Sequence, residues 1–331
     1  MKKYNIGFLG AGNIFHKHQK AINNKKYLSI KGVYDTKKTL KKLKKYNNER
    51  DIFSDNDIDL IALLTPSGNH FKGILKSLSQ NKHVIVEKPL VLKLDQIEKI
   101  ITHKNKLKKK VFVVFQHRLN PCVLKLKKIL RRKVLGKIFL VSSRLYWSRG
   151  QDYYKNSNWR GTWKHDGGVT TNQGIHTIDI LVNLFGLVES VFARSKKVSK
   201  YIETEDVSIV SMKFKNGIIC NMEFTTAVRP SNLENSITVL GSKGYFVING
   251  TNFNQFSSSL QKISKKVNIS SLHGKFYSEI YKSLKNNKKN IFSPESCIIA
   301  QEVLTAIYQS LKLKKEIKFP IKKNIHIRLG S

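Results

Sequence analysis

Strand-like and helix-like segments alternate without interruption over the first 118 residues. Short apolar runs, each long enough for one strand, are separated by segments whose apolar residues have helical spacing. The strand runs are 4–10, 27–35, 58–66, 83–89 and 110–118, and the helical patterns are 13–22, 37–46, 70–81 and 94–107. The runs are continuously apolar, which is typical of strands buried on both faces. This part of the chain is therefore predicted to be a parallel sheet covered by helices on both sides.

A glycine pair follows the first strand run. Gly10 and Gly12 have the spacing of a dinucleotide-binding turn, whose missing side chains let the backbone approach a pyrophosphate at a helix N-terminus. Phe15 stands where that fingerprint has a third glycine, which weakens the match. Asp35 ends the second run, where a carboxylate can bind a ribose diol and repel a 2′-phosphate. These residues favour NAD over NADP, although two lysines just after Asp35 keep NADP open.

Lys88 lies between an acid and a proline at the end of the run 83–89. Ligands of parallel sheets bind at the carboxyl ends of the strands, so a lysine there can hold a substrate hydroxyl and stabilise negative charge developing on it. In so lysine-rich a chain the alternative is an ordinary surface lysine.

A second group of polar residues lies between 166 and 181. Asn172, His176 and Asp179 are spaced by four and three residues, so a helix would place them on one face, opposite apolar residues such as Ile175 and Ile178. A histidine in that place is either structural or a base that takes a proton near neutral pH.

After residue 118 the pattern changes to strand runs joined by hairpin turns. The runs are 137–147, 188–196, 205–214, 218–228, 234–240 and 244–249, with turns at 215–217 and 241–244. Helical patterns occupy 121–133, 274–287 and 294–313, and 252–266 is the most loop-like stretch. This half is predicted to be an antiparallel sheet with helices on one face, and the predicted domains are 1–119 and 120–331.

Composition limits the class of protein. The chain has 331 residues, enough for two domains, and no apolar run approaches the ~20 residues of a membrane helix. The first residues form a strand pattern rather than a signal peptide, and the three cysteines are far apart, so a cytoplasmic protein without a metal site or membrane contact is expected. The net charge of +39 is spread over many segments in a chain also rich in Asn, Ile, Phe and Tyr. That composition is typical of an A/T-rich coding bias, so no nucleic-acid partner is expected.

Several stretches, in this order, resemble the Gfo/Idh/MocA family of sugar oxidoreductases. They are GFLGAGNI after the first lysines, LLTPSGNH at 63–70, VEKPL at 86–90, FQHRLNP at 115–121 and GGVTTNQGIHTIDIL at 167–181. The resemblance implies an α/β fold, with a Rossmann parallel-sheet domain followed by an α+β domain whose open, mostly antiparallel sheet often forms an oligomer interface. It therefore also implies a homo-oligomer, a dimer or tetramer.

The same resemblance assigns site residues by position. Lys88 and His176 match the family's catalytic pair. Asn172 stands where many members have an aspartate, and because an amide cannot take a proton, it is assigned to binding the substrate or the cofactor carboxamide. The implied cofactor contacts are Gly10, Gly12, Asn13, Ile14, Asp35, Thr65, Pro66, His70, Glu87 and Lys88, with Gln116, Trp159 and Arg160 as further candidates.

A narrower resemblance lies in YWSRGQDYYKNSNWRGTWKHDGG at 146–168, which is similar to bacterial UDP-N-acetyl-D-glucosaminuronate 3-dehydrogenases of surface-polysaccharide (O-antigen) pathways. It implies NAD-dependent oxidation of a sugar 3-hydroxyl to a ketone. The candidates for substrate binding are Arg118, Tyr153, Tyr154, Arg160, Asn172, His176 and Arg229, since arginine forks match carboxylates and phosphates. For the arginines and tyrosines a structural role is the alternative.

Two other functions remain open from the sequence. One is a dehydrogenase of a free sugar or inositol, and the other is a cofactor-binding regulatory protein without turnover. The presence of both Lys88 and His176 argues against the regulatory alternative.

Overall fold

The structure is a computed structural model. It describes residues 2–23, 25–36, 43–260, 263–267, 269 and 271–321. They fall into two compact units. The first comprises Met1–Gln116 and Ser270–Ile298, and the second comprises His117–Ile269 and Ile299–Ser331.

The first unit contains a parallel sheet of five strands in the order β2-β1-β3-β4-β5, as predicted. The strands are β1 (Tyr4–Leu9), β2 (Leu28–Tyr34), β3 (Leu60–Leu63), β4 (His83–Val86) and β5 (Val111–Val113), and the helices between them are α1 (Phe15–Asn23), α2 (Glu49–Ser54), α3 (His70–Ser79) and α4 (Asp95–Lys106). All four residues of β3 are buried, as expected for a central strand covered on both faces. The order of the strands reverses between β1 and β3, which is where such sheets bind ligands.

The helix predicted at 37–46 is wrong for residues 43–46, which are described and are not helical. Residues 37–42 lie outside the described residues. Lys44 and Tyr46 instead run beside β2, where the Val33 N–H donates to the Lys44 carbonyl at 2.9 Å and the Tyr46 N–H donates to the Val33 carbonyl at 3.0 Å. The Tyr46 ring lies against Gly32, which has no side chain to exclude it. This cross-strand contact, which helical periodicity does not reveal, explains the wrong prediction.

The second unit contains a nine-stranded sheet in the order β13-β12-β11-β10-β6-β9-β8-β7-β14. Among the described strands of this sheet, β6 and β9 alone pair in parallel, so the predicted mostly antiparallel sheet is confirmed. The strands are β6 (Ile138–Tyr146), β7 (Val188–Lys196), β8 (Val207–Phe214), β9 (Ile219–Thr225), β10 (Glu234–Gly241), β11 (Gly244–Asn249), β12 (Gln255–Ser258), β13 (Ile263–Lys266) and β14 (Ile317–Lys318). The α-helices of this unit that precede β7 along the chain are α5 (Pro121–Arg131), α6 (Gln151–Lys155) and α7 (Ile175–Phe185).

Strands β12 and β13 lie in the stretch predicted to be a loop. Phe256 of β12 stacks on Phe246 of β11 with ring centroids 5.3 Å apart. The stretch is rich in serine and polar residues, so its local pattern is weak, and pairing with β11 supplies the order that the sequence does not signal.

The segment 270–298 packs with the first unit, unlike the predicted division at residue 119. Its helix α8 (Leu272–Asn286) packs on α1, and the Tyr277 hydroxyl lies 2.8 Å from Nδ1 of His18. Further on, the Val113 N–H donates to the Phe292 carbonyl at 2.8 Å. These contacts join positions far apart in the chain, which a reading along the sequence does not detect. The last long helix, α9 (Ile298–Leu313), belongs to the second unit apart from its first residue.

Among the described residues, no helix combines the length and the apolar character needed to cross a membrane.

Candidate functional site

The turn after β1 has the form of a phosphate-binding loop. Gly10 has a φ of +95°, and a Cβ there would lie 2.8 Å from the Leu64 carbonyl oxygen, so the position requires glycine. A Cβ on Gly12 would meet nothing within 4 Å, so the backbone is open to a ligand on that side. Helix α1 begins three residues later, and its N-terminus favours negative charge. The residues present therefore fit the pyrophosphate of a dinucleotide.

Phe15, which replaces the third glycine of the fingerprint, is fully buried. Its ring meets the ring of Phe8 edge-on, with centroids 5.2 Å apart. An aromatic contact thus holds α1 on β1 where a close glycine contact would otherwise do so, and the phosphate turn is retained.

Asp35 lies directly beside this turn. Its Oδ2 accepts the Ala11 N–H at 2.6 Å, and the side chain is half-buried. The structure therefore brings Gly10, Gly12 and Asp35 together at one strand end. Their contact with NAD stays a prediction.

His70 links the ends of β3 and β4. It is buried, with Nε2 3.0 Å from the Thr65 carbonyl and Nδ1 2.8 Å from the Pro89 carbonyl. Burial lowers the pKa of His70, so the ring is neutral at pH 7 and carries a single N–H to donate. Pro66 precedes the short 3-10 turn Ser67–Asn69 that leads into α3. Both ring nitrogens of His70 thus face backbone carbonyls, and its contact with the cofactor stays a prediction.

Glu87 and Lys88 follow β4. The Glu87 carboxylate accepts a hydrogen bond from Nε2 of His18 at 3.0 Å, and His18 is fully buried. Burial opposes the ionisation of Glu87, but the hydrogen bond and the charges of His18, Lys88 and His273 outweigh it and hold its pKa at about 2. Glu87 is therefore a carboxylate at every physiological pH, and its Oε2 accepts the N–H of Lys88 at 3.2 Å.

The ligand atoms of His18, Glu87 and His273 lie within 4.8 Å of one another, close enough for a metal ion. Both ring nitrogens of His18 already have partners in Glu87 and Tyr277. The two ring nitrogens that His18 would offer to a metal are therefore both engaged in hydrogen bonds.

In the second unit, His176 lies at the start of α7, directly after a single π turn at Thr170–Gly174. Such turns are uncommon in proteins, and those that occur are often found at functional sites. The His117 ring packs edge-on against His176, with centroids 5.0 Å apart. Because a π turn takes up an extra residue, Asn172 and His176 do not have the simple α-helical relation that the sequence predicts.

Asn172 is oriented by an acid. Its Nδ2 donates to Asp166, which also accepts the Gly161 N–H at 2.8 Å and is buried. Both residues line a small pocket of the second unit together with Tyr153, Tyr154, Gly168 and Glu205.

Arg118 forms a bidentate ion pair with Asp179. Its Nε donates to Oδ2 at 2.8 Å and its Nη2 donates to Oδ1 at 2.5 Å, and the two side chains are 7% and 1% exposed. The pair anchors the turn at Gln116–Leu119 to α7. The structure thus favours an anchoring role for Arg118 over the substrate contact predicted for it.

Tyr153 and Arg160 form an aromatic and cationic cluster with Arg149. The guanidinium carbon of Arg160 lies 4.3 Å from the Tyr153 ring centroid and 5.2 Å from that of Trp159, and that of Arg149 lies 5.3 Å from Tyr153. Arg229 donates to the Arg149 carbonyl at 2.9 Å. The predicted residues Tyr153, Trp159, Arg160 and Arg229 are therefore brought together.

The arginines of this cluster have no carboxylate partner among the described residues, whose arginine ion pairs involve Arg118 and Arg144. The Nε of Arg160 is buried and, within the same residues, has no hydrogen-bond partner. Such donors fit an anionic ligand.

Tyr154 lies beside the cluster but is buried, and its hydroxyl is 3.1 Å from that of Thr226. Burial raises the pKa of Tyr154 to about 12. This placement indicates a packing role rather than the predicted substrate contact.

Sequence analysis missed His18, His117, Arg149, Asp166 and Glu205. His117 and Asp166 lie within stretches already singled out, so nearness to Gln116 and Asn172 was the available signal. His18, in an amphipathic helix, and Glu205, before a strand, carry no local signal, because only their buried contacts distinguish them.

Comparisons with known proteins agree with this architecture. Residues 4–115 match the family model of the oxidoreductase family, NAD-binding Rossmann fold, and residues 123–247 match that of the GFO/IDH/MocA C-terminal domain. The chain is similar to the glucose-6-phosphate 3-dehydrogenase of Bacillus subtilis, with 26% identity over 270 residues and 74% of each chain covered. It is also similar to the myo-inositol 2-dehydrogenase of Thermotoga maritima, with 25% identity, covering 72% of this chain and 73% of that protein.

Two solved structures resemble the whole chain. One is the WlbA dehydrogenase from Bordetella pertussis in complex with NADH and UDP-GlcNAcA, with a TM-score of 0.89, 26% identity and coverage of 97% of this chain and 99% of that one. The other is the WlbA dehydrogenase from Chromobacterium violaceum with the same two ligands, with a TM-score of 0.87, 28% identity and coverage of 97% of both chains.

Proposed function

We propose that this chain, which belongs to the Gfo/Idh/MocA family of oxidoreductases and has an NAD-binding Rossmann domain, oxidises a secondary alcohol on a nucleotide-linked sugar acid. The proposed reaction converts the 3-hydroxyl of UDP-N-acetylglucosaminuronate to a ketone. The observation that carries the proposal is the likeness, over 97% of this chain, to two WlbA dehydrogenases whose structures contain NADH and UDP-GlcNAcA.

The arginine cluster supports an anionic substrate. Such a substrate carries a carboxylate and a diphosphate, and Arg149 and Arg160 present guanidinium groups held over the ring of Tyr153. Guanidinium forks match both anions in geometry, and placement over an aromatic ring fixes their orientation.

The open side of Gly12 and the carboxylate of Asp35 fit NAD, which supplies a hydride acceptor when bound. We assign the proton chemistry to the chain's own residues. His176 accepts the proton of the substrate hydroxyl, because an imidazole titrates near neutral pH. Lys88 donates a hydrogen bond to the substrate oxygen and stabilises the negative charge that develops on it. Asn172, held by Asp166, orients the sugar or the cofactor carboxamide.

The remaining assignments are also part of this proposal. Asn13, Ile14, Thr65, Gln116 and Trp159 would line the cofactor. We further propose self-association of the chain through the exposed face of the second sheet, where alternate residues of β8 point away from the core.

A second candidate function is the oxidation of a sugar phosphate or an inositol. It is favoured by the similarity, at 26% and 25% identity, to glucose-6-phosphate 3-dehydrogenase and myo-inositol 2-dehydrogenase. In this case the arginine cluster would bind the phosphate group of a sugar phosphate, and with an inositol as substrate it would bind no anion.

The deciding experiment is to incubate the protein with NAD and UDP-N-acetylglucosaminuronate, with 2-oxoglutarate present to reoxidise NADH, and to detect the 3-keto product by mass spectrometry. Parallel reactions with UDP-N-acetylglucosamine, glucose 6-phosphate and myo-inositol serve as controls. We expect turnover of the sugar acid and at least about tenfold lower kcat/KM on UDP-N-acetylglucosamine, which lacks the carboxylate. Turnover confined to glucose 6-phosphate or inositol would establish the second candidate instead.

A further inference from the structure

The second unit contains a buried carboxyl group that the proposed reaction does not use. Glu205 is 4% exposed and lies just before β8. Its Oε1 accepts hydrogen bonds from the Tyr308 hydroxyl at 2.8 Å and from the Thr170 N–H at 3.2 Å. Its Oε2 is buried and has no hydrogen-bond partner among the described residues. A buried oxygen without a partner costs much more free energy as part of an anion than as a neutral O–H.

Glu205 holds the segment that leads to His176. A Cβ on Gly168 would overlap Oε2, so the carboxyl group packs directly on the backbone of this glycine. The Val169 N–H donates to the backbone carbonyl of Glu205 at 3.0 Å. The Thr171 hydroxyl donates to the Tyr308 hydroxyl at 2.8 Å, which extends the hydrogen-bond chain from the carboxyl group into the π turn.

The same segment carries Asn172. The Asn172 N–H donates to the Gly168 carbonyl at 2.9 Å, so the residue that packs on Glu205 also fixes the backbone of Asn172. The π turn then ends at Gly174, two residues before His176. The segment that packs on Glu205 thus leads directly into both proposed site residues.

The described residues that line the pocket at Glu205 carry no positive charge. The groups facing it are the hydroxyl of Tyr308 on α9, Asp166 on the preceding turn, and Tyr153 and Tyr154 of α6, and none of the described residues that line this pocket is a cation. Asp206, the next residue, uses its own carboxylate to accept the N–H groups of 198 and 199. Burial raises the pKa of Glu205 to about 7, with the hydrogen bond from Tyr308 opposing the rise.

We propose that Glu205 is a positioning residue whose protonated form holds the segment from 167 to 174, and with it Asn172 and His176, and whose loss of a proton to solvent loosens that segment. The hydrogen bonds to Oε1 are retained in both forms. The change takes place at Oε2, where an uncompensated charge forms against Gly168 and draws in water. The consequence for turnover rests on the proposed function, whereas the consequence for the segment does not.

Hydrogen exchange tests the inference without a substrate. We compare the amides of 168–176 in the wild-type protein, in Glu205→Gln and in Glu203→Gln at pH 6 and pH 8.5. Glutamine keeps the shape of the neutral carboxyl group and cannot ionise. Glu203 is a matched control because its carboxylate is exposed and accepts the Trp163 N–H nearby.

At pH 6 we expect the three proteins to exchange alike. At pH 8.5 we expect wild type and Glu203→Gln to exchange these amides at least about fivefold faster than Glu205→Gln, since comparison at one pH cancels the intrinsic rate. Equal exchange in Glu205→Gln and wild type at pH 8.5 overturns the inference.

Tyr308→Phe provides a second variant for the hydrogen-exchange test in case Glu205→Gln does not fold. Removing the donor to Oε1 removes an interaction that favours the ionised form, so the pH at which exchange accelerates should rise. An unchanged or lower transition pH contradicts the inference.

Turnover supplies the last readout. The ratio of kcat at pH 8.5 to kcat at pH 6 should be higher in Glu205→Gln than in wild type. If no sugar acid is turned over while the exchange result holds, the proposed function fails and the positioning role stands.

Discussion

At position 172, the neighbouring carboxylate of Asp166 favours an amide over a second acid. Asn172 donates its amide N–H to Asp166, which is buried. A carboxylate at 172 would face a second carboxylate away from water, and like charges so close raise the pKa of one of them. The amide avoids this conflict, which agrees with the proposed assignment of the substrate proton to His176.

Asn172→Asp should therefore introduce a new ionisation into the pH profile of kcat/KM. One of the two acids would take up a proton near neutral pH, and we expect kcat at pH 7 to fall at least about tenfold. Asp166→Asn combined with Asn172→Asp exchanges donor and acceptor, so it should recover much of the loss. A single variant with the wild-type profile would contradict this account.

His176→Ala and Lys88→Ala should each lower kcat by about 10²–10⁴-fold, because each removes a group assigned to the hydroxyl of the substrate. NADH binding, followed by its fluorescence, should remain. Exposed His103 and Lys93 are matched control positions for the same substitutions and should leave turnover unchanged. Turnover near the wild-type rate in both site variants would exclude the mechanism.

At the scale of elements, the first strands illustrate what periodicity can predict. β1, β3, β4 and β5 are buried along nearly their whole length, so their apolar runs are nearly continuous and were identified from sequence, as were Gly10 and Asp35 at strand ends. The stretch 252–266 has no such pattern, because β12 is ordered by pairing with β11 rather than by its own residues. Glu205 has no signal either, since its partner Tyr308 lies 103 positions away.

The ion pair of Arg118 and Asp179 ties one element to another and gives a stability prediction. Removing one partner leaves a buried charge, so Asp179→Asn or Arg118→Met should lower the free energy of unfolding by about 3–5 kcal/mol, measured by urea denaturation. The double variant Arg118→Met with Asp179→Leu should recover much of this loss. Lys282→Ala, which breaks the exposed pair with Glu279, should cost less than about 0.5 kcal/mol. Equal losses in the buried and exposed pairs would disprove the anchoring role.

At the scale of the whole molecule, two acids with shifted pKa values act on stability in opposite directions. The pKa of Glu87 is lowered to about 2, so its contribution is present above its ordinary pKa near 4.5 and is lost as pH falls from there toward 2. The pKa of Glu205 is raised to about 7, so the folded protein binds more protons than the unfolded chain between 4.5 and 7, and stability falls as pH rises through that window.

Glu205→Gln should abolish the second effect. Relative to wild type, the variant should gain on the order of 3 kcal/mol in stability between pH 5 and pH 8. All three tryptophans lie in the second unit, so their fluorescence in urea follows the unit that contains Glu205. A stability difference independent of pH would show that Glu205 does not titrate in this range.

The open face of the second sheet gives a prediction about assembly. Ile219 of β9 is 53% exposed, and Ile209 of the neighbouring β8, which lies on the same face of the sheet, is 52% exposed. If chains associate through this face, Ile219→Asp should reduce the mass measured by light scattering. Leu313, equally exposed at the end of α9, is the matched control. An unchanged mass for Ile219→Asp would place the interface elsewhere.

The return of residues 270–298 to the first unit has a consequence for the order of synthesis. The ribosome releases α1 and the five parallel strands early, but the helix that covers α1 emerges only after eight of the nine strands of the second sheet. The first unit therefore waits, with an uncovered apolar flank, until most of the chain has been made. An expressed fragment that ends at residue 116 would lack Tyr277 and Phe292, so the dinucleotide-binding half is best isolated by joining 2–116 to 271–298 through a short linker.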